Sequence, residues 1–342
     1  MRVAAVDCGT NSIRLLIADL STGAAPDEPE RVAGSSDPAA RTPLAEVTRQ
    51  MRIVRLGEGV DRTGRLSAAA LDRTMTALRE YAGLIVDAKP EAVRMVATSA
   101  TRDAENSQEF TERVVEVLGV TPEVISGDEE ARLSFAGATR ELAGTALAAE
   151  CPPPYLVTDI GGGSTELVLG RPGGMDSVQG RSVNIGCVRL TERHLHGDPP
   201  AQAEIGAAVE DIDAALDEVT AAVQVAQART LVGLAGSVTT IAAIALGLDR
   251  YLPQRIHHAR IPAEQVRQIT VRLLNQTRAQ RATIPGMHPG RIDVIGAGAL
   301  VLDRIMTRIN VTEVLVSEHD ILDGIAWSLA RRPTTPADLT IP

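Results

Sequence analysis

"VTDIGGGSTELVLG", residues 157–170, sets three consecutive glycines and a serine between two carboxylates, Asp159 and Glu166, with an apolar run on either side. The alternation after Ser164 reads as a strand, so the stretch is strand, glycine loop, strand. Consecutive glycines let backbone N–H groups converge on one point, because they reach positive φ at little steric cost. Such a nest attracts anions, phosphate above all. A lone GGG is more often a plain hairpin turn. What tells against the plain turn is repetition: "AVDCGTNSIRLLIA", residues 5–18, carries the same plan. Asp7, Gly9 and Ser12 match Asp159, Gly161 and Ser164 at a constant offset of 152 (159 − 7 = 161 − 9 = 164 − 12), and Arg14 stands in the place of Glu166.

The loop type excludes two nucleotide-binding devices. A Walker A loop needs a lysine and a following helix. Lys89 is the only lysine in the chain, and strand pattern follows the serine. A dinucleotide fingerprint fails on the same missing helix. A third phosphate element is expected at "GLAGSVTT", residues 233–240, where Gly236 and Ser237 end a strand and open a helix whose first amides face a ligand.

Working outward, residues 3–6 and 13–20 read as strands around the first loop. Residues 21–43, rich in Ala, Pro, Gly, Ser and Asp, read as a mobile loop extension. Ser67 is expected to cap a helix carrying Leu71, Met75, Leu78 and Leu84. A helix is expected from Ala104 to Leu118 and another from Gly127. Helical spacing also covers 201–228 and 320–331, with a last strand at 313–317. Strands alternating with helices in two similar halves give an α/β class with a ligand cleft between two lobes. The boundaries expected are 1–127 and 128–331, with a disordered tail at 332–342.

The chain of 342 residues has a formal net charge of −10, a poor match for a nucleic-acid coat, so no DNA or RNA partner is expected. A polyanionic ligand needs a local, metal-assisted site that overcomes the global repulsion. Cys8, Cys151 and Cys187 are odd in number and scattered, which predicts no disulfide framework or zinc site and a reducing cytoplasm. His194, His196, His257 and His258 show no ligand spacing. No apolar run reaches the ~18 residues that span a bilayer, so no membrane association is expected.

Seven segments in order, "AAVDCGTNSIRLLIAD", "ATSATRDAEN", "VISGDEEARLSFAG", "TDIGGGSTELVLG", "NIGCVRLTE", "GLAGSVTT" and "SEHDILDGI", resemble the exopolyphosphatase/guanosine pentaphosphate phosphohydrolase family. The resemblance covers nearly the whole chain, in the family's short two-domain form. It implies two actin-like (ribonuclease H-like) lobes of the sugar kinase, Hsp70 and actin superfamily. It also implies hydrolysis of a terminal phosphoanhydride by water, with Mg²⁺ (or Mn²⁺) and a homodimer. Glu130 is the catalytic base that the resemblance implies; Asp128 and Glu129 beside it are read as acids complementing a helix dipole. Asp159 and Glu166 are implied on the metal side, with Asp7 as the equivalent acid of the first loop. Asn11, Ser12, Gly162, Gly163, Ser164 and Ser237 are expected on phosphate oxygens, and Arg102 as a fork on the terminal phosphate. Arg14 and Arg189 are expected to extend a track for the polyanion. The substrate is left as inorganic polyphosphate, short chains above all, or pppGpp. A superfamily kinase or ATPase and a non-catalytic sensor remain as alternatives.

Overall fold

The structure is a computed structural model that describes residues 1–21, 44–142, 147–173 and 178–330. Most of the 21–43 extension and the 332–342 tail lie outside the described residues. The chain forms two compact units: Met1–Ala148 with the stretch from Ile321 onward, and Ala149–Arg171 with Asp176–Asp320.

The first unit is built on a five-stranded sheet of order β3-β2-β1-β4-β5. Its strands are β1 (Arg2–Cys8), β2 (Ser12–Leu20), β3 (Leu44–Ile53), β4 (Ala92–Ala97) and β5 (Glu123–Val124). β1 and β2 are antiparallel, while β1 and β4 run parallel. Because side chains alternate across a strand, Ala4, Val6, Ile13, Leu15 and Ile17 serve one face of the sheet. They pack under Leu71, Met75, Leu78 and Tyr81 of helix Ala68–Ala88 and Phe110 and Val114 of helix Ser107–Leu118. Ser67 caps the first of these helices, accepting from the Ala70 N–H at 3.2 Å.

On the other face Val3, Ala5, Leu16 and Leu20 meet Leu133, Ile321, Leu322 and Ile325. These belong to helix Gly127–Thr139 and helix Ile321–Leu329. The two helices approach so closely that a Cβ on Gly324 would overlap the Leu133 carbonyl. The helix opening at Gly127, expected to begin the second lobe, therefore lies in the first unit. The reason is packing: its apolar face covers the first sheet, and the helix from Ile321 returns to cover the same face.

The second unit repeats the strand order in β8-β7-β6-β9-β11 and adds β10 at the edge. Its strands are β6 (Tyr155–Ile160), β7 (Thr165–Gly170), β8 (Gln179–Val183), β9 (Thr230–Leu234), β10 (Arg260–Pro262) and β11 (Glu313–Val316). β6 pairs antiparallel with β7 and parallel with β9, as β1 does with β2 and β4. This is the duplicated α/β architecture that the two glycine loops imply, and it agrees with the actin-like lobes implied by the family resemblance. With aromatics at only 2%, the core of this unit is Leu, Ile, Val and Ala, drawn largely from helices Cys187–His194, Gln202–Ala222, Ala235–Ala245, Ala263–Asn275 and Ile295–Ile309.

The helix expected from about Ala104 to Leu118 runs over Ser107–Leu118, preceded by a separate single turn, Ser99–Arg102. The long run 201–228 ends as a helix at Ala222. Cys8, Cys151 and Cys187 are buried thiols, and burial pushes each of them above the ordinary thiol range. Among the described residues no helix is long and apolar enough to cross a membrane.

Candidate active site

The sequence duplication is carried into the hydrogen bonds of the loops. Gly9 N–H donates to the Ser12 carbonyl at 2.9 Å, and Gly161 N–H donates to the Ser164 carbonyl at 3.0 Å. Each loop is thus closed by one short bond across four residues. In both copies the carbonyls behind the loop are held. The Thr10 oxygen accepts from Gly57 at 2.9 Å, and the Asn11 oxygen accepts from Val54 and Arg55 at 3.0 and 2.9 Å. In the second loop the Gly162 oxygen accepts from Val188 and Arg189 at 2.8 and 3.1 Å, and the Gly163 oxygen from Gly186 at 3.2 Å. Among the described residues, the N–H groups of Thr10, Asn11, Gly162 and Gly163 have no protein acceptor. With the carbonyls tied back, these amides are the polar groups each loop presents, as an anion nest requires.

Gly57 and Gly186 are site residues that the sequence reading passed over. Each follows a strand, β3 or β8, and each lies flat on the glycine loop. A Cβ on Gly57 would overlap the Thr10 methyl, and a Cβ on Gly186 would overlap the Gly162 carbonyl group. The signal was a third parallel between the halves, an aliphatic residue and a glycine after the third strand: Leu56-Gly57 and Ile185-Gly186.

In the first unit Asp7 and Arg14 face each other directly across β1 and β2. Arg14 places both Nε, at 3.0 Å, and Nη2, at 2.7 Å, on Asp7 Oδ2. Glu130 lies in the first turn of helix Gly127–Thr139, which Ser126 caps by accepting from the Glu129 N–H at 3.2 Å. Its Oε2 accepts from Arg102 Nη1 at 3.2 Å, and the same nitrogen donates to the Ile125 carbonyl at 2.9 Å. Sequence reasoning placed Glu130 and Arg102 in one site, and here they form an ion pair.

The neighbouring acid is committed elsewhere. Glu129 Oε1 accepts from Arg94 Nη2 at 2.6 Å, and the buried Arg94 also holds Glu123 at 2.8 Å and the Ser328 hydroxyl at 2.8 Å. Successive helical residues diverge by about 100°, so the Arg94–Glu129 pair turns Glu130 toward Arg102.

In the second unit Asp159 and Glu166 are opposite each other in the β6–β7 register and are 7% and 1% exposed. Ser182, opposite Glu166 on β8, donates its hydroxyl to Glu166 Oε1 at 2.7 Å. Two buried carboxylates and a serine hydroxyl are an all-oxygen donor set, which suits a hard divalent cation such as Mg²⁺. Arg189 donates Nε to the Gly163 carbonyl at 2.8 Å, so its guanidinium braces the loop from behind. Ser237 is buried in the first turn of helix Ala235–Ala245. Ala235 holds a left-handed φ of 65°, which gives the strand-to-helix turn its sharpness. Arg291, absent from the sequence reading, donates to the Gly236 carbonyl and the Thr240 hydroxyl, both at 3.0 Å.

Residues 34–332 match the model of the Ppx/GppA phosphatase family. The chain is 47% identical over 338 residues to exopolyphosphatase 2 of Mycobacterium tuberculosis (strain ATCC 25618 / H37Rv), covering 96% of this chain and 98% of that protein. Among solved structures, an exopolyphosphatase-like protein superposes with a TM-score of 0.86 at 42% identity, covering 97% of this chain and 99% of its own. The Aquifex aeolicus Ppx/GppA family member gives 0.72 at 29% identity, over 97% and 98% of the two chains. The paired loops, the acids that flank them and these full-length similarities lead to one assignment: the chain belongs to the Ppx/GppA phosphatase family.

Proposed function

We propose that this chain is a metal-dependent exopolyphosphatase that releases orthophosphate from the ends of inorganic polyphosphate, short chains above all. The observation that carries the reading is the matched pair of loops, each with its carbonyls tied back and two amides left to an anion. The relative's name, exopolyphosphatase 2, supports polyphosphate as the substrate.

Phosphoryl transfer asks little covalent chemistry of a protein; positioning and charge neutralisation dominate. The amides of Thr10 and Asn11, with the Ser12 hydroxyl, and those of Gly162 and Gly163, with the Ser164 hydroxyl, bind phosphate oxygens. The N-terminal amides at Ser237 extend that contact. Glu130 takes the proton of the attacking water, and Arg102 holds the carboxylate in place while its remaining N–H groups meet the terminal phosphate. Asp159 and Glu166 would hold Mg²⁺ (or Mn²⁺), which when bound supplies positive charge to the phosphoanhydride oxygens. The net charge of −10 makes that local cation necessary and disfavours DNA or RNA as a ligand. A cytoplasmic homodimer belongs to the same proposal.

The test is orthophosphate release from tripolyphosphate, from a polymer of many hundreds of phosphates and from pppGpp in parallel, with Mg²⁺ and with chelator. Metal-dependent release, fastest on the short chain, supports the reading. Release from pppGpp alone keeps the chemistry and changes the substrate. Release that requires ATP and an acceptor hydroxyl would replace hydrolysis with a kinase reaction.

A further inference from the structure

The two loops share a backbone plan, and that makes the second an internal control on the first. Each closes with one bond, from Gly9 to Ser12 at 2.9 Å and from Gly161 to Ser164 at 3.0 Å. The residue after the first glycine is Thr10 in one copy and Gly162 in the other, at the same offset of 152 (162 − 10). The plan therefore needs no side chain there, and the Thr10 hydroxyl answers to something else. It lies 2.8 Å from the Ser99 hydroxyl, and the two residues are only 6% and 2% exposed. Buried hydroxyls are costly to leave unpaired, so each holds the other in place.

Ser99 has a counterpart as well. Asp7 pairs with Val96 and Asp159 with Leu234 in the two parallel registers, and Ser99 and Ser237 stand equally far beyond (99 − 96 = 237 − 234). In the second unit that serine lies in a long helix, and Gly162 has no hydroxyl to offer it. In the first unit it opens the single turn Ser99–Arg102, which ends on the arginine paired with Glu130. The Thr98 N–H ties the start of this turn to the Cys8 carbonyl at 3.2 Å, and the Asp103 N–H closes its end on the Ser99 carbonyl at 2.9 Å. A single turn has little stiffness of its own.

We propose that Ser99 is a positioning residue for hydrolysis. Its bond to Thr10 fixes the turn bearing Arg102, and through Arg102 the carboxylate of Glu130, relative to the first phosphate loop. Thr10 then works on three sides: its N–H is offered to a phosphate oxygen, its carbonyl accepts from Gly57, and its hydroxyl sets the base. Phosphate and base are located from one residue, which is what a near-attack geometry asks. This rests on the reading of Glu130 as the base and of the first loop as a phosphate cradle.

The experiment is steady-state hydrolysis of tripolyphosphate with Mg²⁺ by the wild type, Ser99→Ala, Glu130→Gln and the Ser99→Ala/Glu130→Gln double variant, each well below its thermal midpoint. Ser99→Ala should lower kcat about 10-fold, inside the ~10²-fold that a displacement of about 1 Å costs, with KM little changed. In the Glu130→Gln background the same exchange should cost almost nothing, because residues that act as one unit are not additive. If Ser99→Ala fails to fold, Thr10→Val breaks the same bond from the other end, exchanging the hydroxyl for a methyl. It should give the same fall, again lost in the Glu130→Gln background. A Ser99→Ala enzyme as fast as the wild type, a raised KM at unchanged kcat, or a fall that persists in full without Glu130 overturns the proposal. A Glu130→Gln enzyme as fast as the wild type instead overturns the reading of the base beneath it.

Discussion

Gly57 donates its N–H to the Thr10 carbonyl at 2.9 Å, and the space where its Cβ would stand is filled by the Thr10 methyl group. Thr10 is held on its other side by Ser99, hydroxyl to hydroxyl at 2.8 Å. Neither side chain can move aside without giving up a bond that shapes the first loop. Gly57→Ala should therefore behave as an overpacked core site and lose about 1–3 kcal/mol. Thr10→Ser removes the obstructing methyl and keeps the hydroxyl, so the double variant should regain most of that loss. Thermal unfolding of the four proteins in the cycle measures it; additive losses would show that the two residues do not meet.

The equivalent glycine of the second unit has no such remedy. A Cβ on Gly186 would overlap backbone atoms of Gly162 and Gly163, which no side-chain exchange can clear. Gly186→Ala should weaken binding of tripolyphosphate, because the loop that carries the free amides must shift. Calorimetric titration of tripolyphosphate into the Glu130→Gln background separates this from turnover. Unchanged affinity would mean that the Gly162–Gly163 amides do not contact the phosphates.

Glu318 carries a pH signature of its own. Burial pushes its carboxyl above the ordinary carboxylate range, Asp320 adds to the rise, and a hydrogen bond at 2.6 Å from the Tyr251 hydroxyl, with His257 and Arg291, works against it. A raised folded pKa means that the native state holds the proton longer than the unfolded chain. This group therefore costs stability as pH rises from the unfolded carboxylate value through the raised native one. Glu318→Gln keeps an acceptor for Tyr251 and cannot ionise. Its thermal midpoint should gain on the wild type as pH rises from 4 to 8. A difference that stays flat across that interval would show that Glu318 titrates normally.

Much of this was legible in the residues, and the reasons are local. The glycine loops announce themselves because φ freedom, an acid and a hydroxyl recur at one offset, and strand alternation on either side fixes their hairpin frames. In those frames Asp7 and Arg14, like Asp159 and Glu166, are necessarily opposite. What stayed hidden depends on tertiary approach. Gly57 and Gly186 are single glycines after ordinary strands, and only the loop pressed on them explains why they lack a side chain. The stretch from Ile321 reads as an apolar helix with no hint of which sheet it covers. Gly324, which lets it lie against Leu133, is legible only once the partner helix is known. Arg94 reads as a strand residue, and its hold on Glu123, Glu129 and Ser328 joins positions up to 234 apart in sequence.

The central claim is that Glu130, paired with Arg102, is the base, while Glu129, one residue earlier, belongs to Arg94. The most direct measurement is the rate of orthophosphate release from tripolyphosphate with Mg²⁺ by the wild type, Glu129→Gln and Glu130→Gln. Glu130→Gln should lose at least the ~10²-fold typical of a missing general base, with its thermal midpoint close to the wild type. Glu129→Gln should retain most of the rate. A Glu130→Gln enzyme as fast as the wild type, or a Glu129→Gln enzyme slowed by the larger factor, would contradict the account.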